Sequence, residues 1–150
     1  MKIDSPVPVR VLITHLEPPA GLAVVELPMT AHDRRRVRRL VEAPDGLVLA
    51  LELPTGTILH PGQLLHHNTN AAYVVSAADE LVLVLRPRDL NEAARAGHLI
   101  GNMHRDIHVE QGAIIALADD VLEQRVAREG IPFERVTRPF HGRAPGEHAH

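Results

Sequence analysis

Five histidines carry the chemistry this sequence offers: His104 in Gly101-Asn102-Met103-His104, His108 on the stretch that follows, His141, and His148 with His150 at the end of the chain. Neutral imidazole is the commonest metal ligand near neutral pH, and with carboxylate and water it suits nickel, copper or zinc. The chain has no cysteine, which removes thiolate metal sites, disulfides and thiol redox chemistry together. What remains is a site that holds a divalent ion weakly. That is the chemistry of a carrier more than of a catalyst.

Gly101 permits a tight reversal of the backbone, and Asn102 can fix such a turn through its side chain. His104 is therefore expected to project from an ordered turn. One histidine cannot hold a metal strongly, because a closed site takes about four ligands. A two-fold dimer would bring a second copy of His104 to the first, and tail histidines could complete the shell. The competing reading is an ordinary solvated histidine. His148 and His150, with His141 upstream, can chelate but are easily displaced, and an incidental His-containing tail is the alternative there. His98 and His108 flank the turn, and His108 is the better ligand candidate because it follows His104 closely. His15, His32 and His60 have no ligand spacing, and His66-His67 are expected at a sheet edge or in a loop.

Composition narrows the classes. With 150 residues the chain suffices for one ordinary domain or two small ones. Aromatic residues are 2% against 45% hydrophobic, so the core must be aliphatic, and stacking on nucleic-acid bases is not expected. A net charge of -3 gives no pull toward phosphate backbones. The start of the chain has no apolar signal-peptide core, and the apolar runs are too short to span a bilayer. A soluble, cytoplasmic protein with no nucleic-acid or membrane partner is the expectation. The run Arg34-Arg35-Arg36-Val37-Arg38-Arg39 reads as a solvated strand face or a docking patch for an acidic protein. No phosphate-binding loop, nucleophile elbow or His-Glu-x-x-His motif is present.

The elements that must position these histidines follow from periodicity. The first half reads as strands at Val7 to Ile13, Leu22 to Leu27, Arg35 to Val41, Leu47 to Leu53 and Ala71 to Ser76. Asp45-Gly46 is a hairpin signal. From Leu81 the rhythm changes. A buried strand runs to Leu85, Asp89 caps a helix to about Ile100, and strands follow at Arg105 to Glu110 and Ala113 to Leu117. Asp119 caps a second helix that Gly130 ends, and Phe133 to Thr137 is a last strand. The fold class predicted is α+β: a small N-terminal β domain over residues 1–76, then a ferredoxin-like βαββαβ domain over 77–140, and a flexible His-containing tail over 141–150.

Taken in order, these motifs resemble the UreE family, the urease accessory nickel metallochaperones. The resemblance rests on Leu27-Pro28-Met29-Thr30, Asp33-Arg34, Asp45-Gly46, Leu53-Pro54-Thr55-Gly56, Leu59-His60-Pro61-Gly62-Gln63-Leu64-Leu65, Val74 to Val84, Gly101-Asn102-Met103-His104, Asp119-Asp120-Val121-Leu122, Gly130 and Pro139-Phe140-His141. Met103 stands where the family signature has Arg, and His108 where the next strand has Gln. Ala118 and Asp120 stand where some members carry further histidines. The resemblance implies a non-enzymatic nickel chaperone: a homodimer that binds Ni²⁺ between two copies of His104 and delivers it to apo-urease. Zn²⁺ and Cu²⁺ would compete for the site. The urease apoprotein and the urease accessory GTPase are its implied partners. A metal-independent adaptor that docks through the N-terminal β domain is the alternative function. An enzyme using His104 as general base ranks last, for want of a visible acid–base pair.

Overall fold

The computed structural model describes residues 5–11 and 18–145. They divide into two compact units, one of residues up to Met29 with Asp33–Ala77, the other of Thr30–His32 with the chain from Ala78 onward.

The first unit is built from strands: β1 (Val7–Val9), β2 (Ala23–Met29), β3 (Arg38–Glu42), β4 (Val48–Glu52), β5 (Leu64–His67) and β6 (Ala71–Ala77). They form two three-stranded sheets, ordered β1-β4-β3 and β2-β6-β5. β1 runs parallel to β4 and β2 parallel to β6, while β3 and β5 pair antiparallel with their neighbours. Their core is aliphatic, as the composition requires: Leu27, Met29, Leu49, Leu51, Leu53, Leu59 and Val75 are buried in one cluster with Tyr73. The Asp45–Gly46 turn forms as expected. Gly46 takes φ 91°, open to glycine without strain, and Asp45 Oδ1 accepts the Leu47 N–H at 3.0 Å.

Two expectations for this unit need correction. β1 ends at Val9, and Val11 is an exposed residue beyond it; Ile13 lies outside the described residues. Arg35 to Val41 is not one strand. Asp33–Arg35 is a single 3-10 turn, closed by the Arg36 N–H on the Asp33 carbonyl at 3.0 Å, and β3 starts only at Arg38. The turn directs Arg34 inward, where it is 2% exposed and donates to the Met29 carbonyl at 2.8 Å. The basic run is thus divided among the interior (Arg34), the turn and its exit (Arg35 and Arg36) and a strand (Arg38 and Arg39) rather than laid along one solvated face. His66 and His67 stand at a sheet edge, one of the two places expected for them, as the last residues of edge strand β5.

The second unit holds β7 (Asp79–Leu85), α1 (Leu90–Asn102), β8 (His108–Glu110), β9 (Ala113–Leu117), α2 (Asp120–Arg128) and β10 (Phe133–Pro139). Its sheet order is β10-β7-β9-β8, with every neighbouring pair antiparallel. This is the split βαβ, ferredoxin-like topology. Strand alternation sends Leu83, Leu85, Ile114 and Ala116 to one face, packed with Ala96 and Ile100 of α1 and Leu122 and Val126 of α2. Val82, Val84, Ala113 and Ile115 point to the opposite face, where Ala31 and Phe140 cover them.

Both helices start where the sequence says. The Asp89 side chain accepts the Glu92 N–H at 2.8 Å, and Asp119 accepts the Leu122 N–H at 2.9 Å. Each satisfies one of the orphan donors of a helix N-terminus. Among the described residues no helix is long and apolar enough to cross a membrane.

Candidate metal site

The position of His104 is fixed by how α1 ends. The helix continues through Gly101 and Asn102, so the reversal is not made at the glycine. It is made at His104, whose φ is 56° and which is the one non-glycine residue with positive φ among those described. The His104 N–H donates to the Gly101 carbonyl at 3.0 Å, and the Arg105 N–H to the Ile100 carbonyl at 3.2 Å. These two bonds make a Schellman cap with His104 in the left-handed position that glycine ordinarily takes. The Asn102 amide, expected to hold the turn, lies instead 3.4 Å from His98 Nε2 one helical turn earlier. Met103 packs partly buried against the helix-side core.

Charged pairs brace the segment that follows. Arg105 reaches to 2.8 Å from Asp119 Oδ2 at the start of α2. Asp106 Oδ2 accepts the backbone N–H of Arg143 at 2.7 Å and its Nε at 3.3 Å. His104 itself, just before these two anchors in the chain, is exposed.

His108 begins edge strand β8, and its Nε2 lies 3.5 Å from Glu110 Oε1. Glu110 is gripped by both terminal nitrogens of Arg138, one of them at 3.1 Å. Hydrogen bonding to Arg138 holds the Glu110 carboxyl below the usual glutamate value, with His108 adding to the effect. His141 follows β10 at the other edge of the sheet, yet its ring centre is 5.3 Å from that of His108. Phe140, 1% exposed over the second face of the sheet, is what carries the chain across.

The structure therefore brings His108 and His141 together. Among the described residues no three His, Asp or Glu side chains are grouped as a metal site would need, so His104 does not join them in one intrachain shell. His148 and His150 lie outside the described residues, as does His15. Of the expected tail, His141 to Pro145 are described, and Arg143 is tied to Asp106. His66, stacked on Tyr73 with ring centres 5.8 Å apart, is held below the usual histidine value by burial and then by His67. Sequence reasoning missed Asp106, Glu110, Arg138 and Arg143 as positioning groups. Charge pairing across many residues leaves no local signal.

The two units also match, half by half, the two domains of a urease accessory protein. Residues 12–78 fit the N-terminal domain of the UreE urease accessory protein and residues 80–150 its C-terminal domain. The chain is 52% identical over 124 residues to the urease accessory protein UreE of Deinococcus radiodurans, covering 83% of this chain and 80% of that protein. It is 50% identical over 134 residues to UreE of a Synechococcus strain, covering 86% and 90%, and 32% identical over 142 residues to UreE of Nostoc punctiforme, covering 91% and 96%. The chain belongs to the UreE family of urease accessory proteins.

Proposed function

We propose that this protein carries Ni²⁺ to apo-urease during assembly of the urease metallocentre, without catalysis of its own. The observation that supports this reading best is the left-handed backbone of His104. A non-glycine residue there costs roughly 1–2 kcal/mol, and such strain gathers at functional sites. Glycine would fill the position without that backbone cost, so the cap itself does not call for a histidine there. Family membership is what supports nickel over zinc or copper, since a bare nitrogen–oxygen site by itself favours Cu²⁺.

The protein acts as a homodimer in which two copies of His104 share one ion, and His148 or His150 closes the shell. Few ligands at an exposed position leave room for a receiving site to take the metal by ligand exchange. The urease apoprotein and the accessory GTPase of urease maturation are the receiving partners, in the cytoplasm. Calorimetry with Ni²⁺ should give about one tight site per two chains, the stoichiometry of a two-fold axis. His104→Ala should abolish that event. Nickel binding by His104→Ala with the affinity and stoichiometry of the wild type would overturn the assignment.

A further inference from the structure

We infer that His108 and His141 form a second divalent-cation site within each chain, with Glu110 and Arg138 as its positioning residues. The inference takes its metal, Ni²⁺, from the proposed carrier function, but its geometry is independent of His104.

Two imidazoles on one divalent ion each place a nitrogen about 2.0–2.1 Å from it, so their ring centres stand on the order of 5 Å apart. The His108 and His141 rings are 5.3 Å apart and tilted by 51°. That spacing of the rings matches the one that two imidazoles on a shared ion require. Glu110 supplies what a metal-binding histidine ordinarily has on its far side. Its Oε1, 3.5 Å from His108 Nε2, is placed to accept a hydrogen bond from Nε2–H, which fixes the tautomer and presents the Nδ1 lone pair to the metal. Arg138 keeps that carboxylate charged and in place by gripping it with two nitrogens.

The approach of His141 is enforced as well. Phe140 is buried against the sheet. A Cβ on Gly142 would fall 2.5 Å from Phe140 Cζ, so the chain passes the ring at a spacing only glycine allows. Arg143 then closes the segment onto Asp106. Burial on one side of His141 and an ion pair on the other hold it beside β8. Two protein ligands leave the remaining positions to water, so the ion is held weakly and exchanges readily. Such a site would keep a second ion on the same chain as His104.

The test is Ni²⁺ titration of the full-length protein by calorimetry, with NMR detection of the histidine rings, in wild type, His104→Ala, His108→Gln, the double variant and Glu110→Gln. In His104→Ala a weak equivalent of Ni²⁺ per chain should persist and broaden the His108 and His141 ring signals together. Adding His108→Gln should remove it, and Glu110→Gln should weaken it about 10–100-fold while sparing the His104-dependent event. Retained binding that ignores His108→Gln, or no binding at all in His104→Ala, would overturn the second site, and the latter would leave the His104 reading standing. Wild-type binding in His104→Ala that vanishes with His108→Gln would do the reverse.

Discussion

His104 and Gly130 occupy the same position in the caps that end the two helices of the ferredoxin-like domain, and only one of them is glycine. At α2, Gly130 takes φ 69°, its N–H donates to the Ala127 carbonyl at 3.0 Å, and Ile131 N–H to that of Val126 at 3.4 Å. At α1 the same pair of bonds is made by His104, with φ 56°, and Arg105. One domain thus contains the relaxed and the strained version of a single motif.

His104→Gly should therefore stabilise the protein while it weakens nickel binding. Relief of the left-handed strain, about 1–2 kcal/mol, is partly offset by the greater freedom of glycine in the unfolded chain, about 0.4–1 kcal/mol. A net gain on the order of 1 kcal/mol corresponds to a rise in Tm of about 2–4 °C at this chain length. His104→Ala should lose nickel without that gain, since alanine keeps a Cβ. A glycine variant that melts at or below the wild-type temperature would show that His104 makes contacts worth more than the strain.

Gly142→Ala tests the crossing that brings His141 to His108. The added Cβ would stand 2.5 Å from Cζ and 2.9 Å from Cε1 of Phe140, whose ring is buried and cannot swing clear. Overpacking of this kind costs about 1–3 kcal/mol, whereas Phe140→Ala should cost about 3–5 kcal/mol by leaving a cavity over the sheet. Thermal melts give both values. Hydrogen exchange at the Arg143 amide, now held by Asp106, should accelerate in Gly142→Ala more than exchange in α1. Unchanged exchange there would mean that the segment docks without the close passage.

How far the sequence revealed this site depended on the range of the interaction. Asp89 and Asp119 cap their helices as read, because a cap is a contact three residues long, and β9 runs Ala113–Leu117 as expected. The βαββαβ order was legible because each element carries its own period. Gly101 was the natural candidate for the reversal before His104, since glycine is the residue that adopts positive φ cheaply. The helix runs past it because the Arg105 N–H closes onto the Ile100 carbonyl. Arg34 is indistinguishable in sequence from its charged neighbours, and its burial depends on the Met29 carbonyl brought close by a 3-10 turn. The meeting of His108 with His141, from opposite edges of one sheet, depends on where Phe140 lies. No spacing in the sequence encodes that.

In the first unit, Tyr73→Phe should destabilise more than its single missing oxygen suggests. Tyr73 is 2% exposed, and its hydroxyl donates to Asp45 Oδ2 at 2.6 Å. Hydrogen bonds to a charged group are worth about 1.5–3 kcal/mol. The same bond is the leading reason that the Asp45 carboxyl sits below the usual aspartate value. An NMR titration should find the Asp45 pKa raised in Tyr73→Phe, and a denaturant melt should show the loss of stability. A normal Asp45 titration in the wild type would contradict the pairing.

Acid should loosen the second unit through Glu92, whose side chain is 6% exposed at the start of α1. Its carboxylate accepts the Arg88 N–H at 2.8 Å and the Arg88 Nε at 2.9 Å. The side-chain bond from Arg88 is the main cause that lowers the Glu92 pKa, with the backbone bond from the same residue next. A carboxyl whose folded pKa lies below its unfolded one releases its proton more readily in the native state. Its stabilisation is complete above the ordinary glutamate range, near ~4.3, and is lost as pH falls through the lower folded value. The wild type should thus keep its α1 ellipticity to below that range. Arg88→Ala removes the side-chain bonds but leaves the backbone one, so the Glu92 pKa should rise and the acid transition move to higher pH. Circular dichroism followed from pH 7 downward measures this, and coincident acid transitions in the two proteins would show that Glu92 does not set the acid limit of this unit.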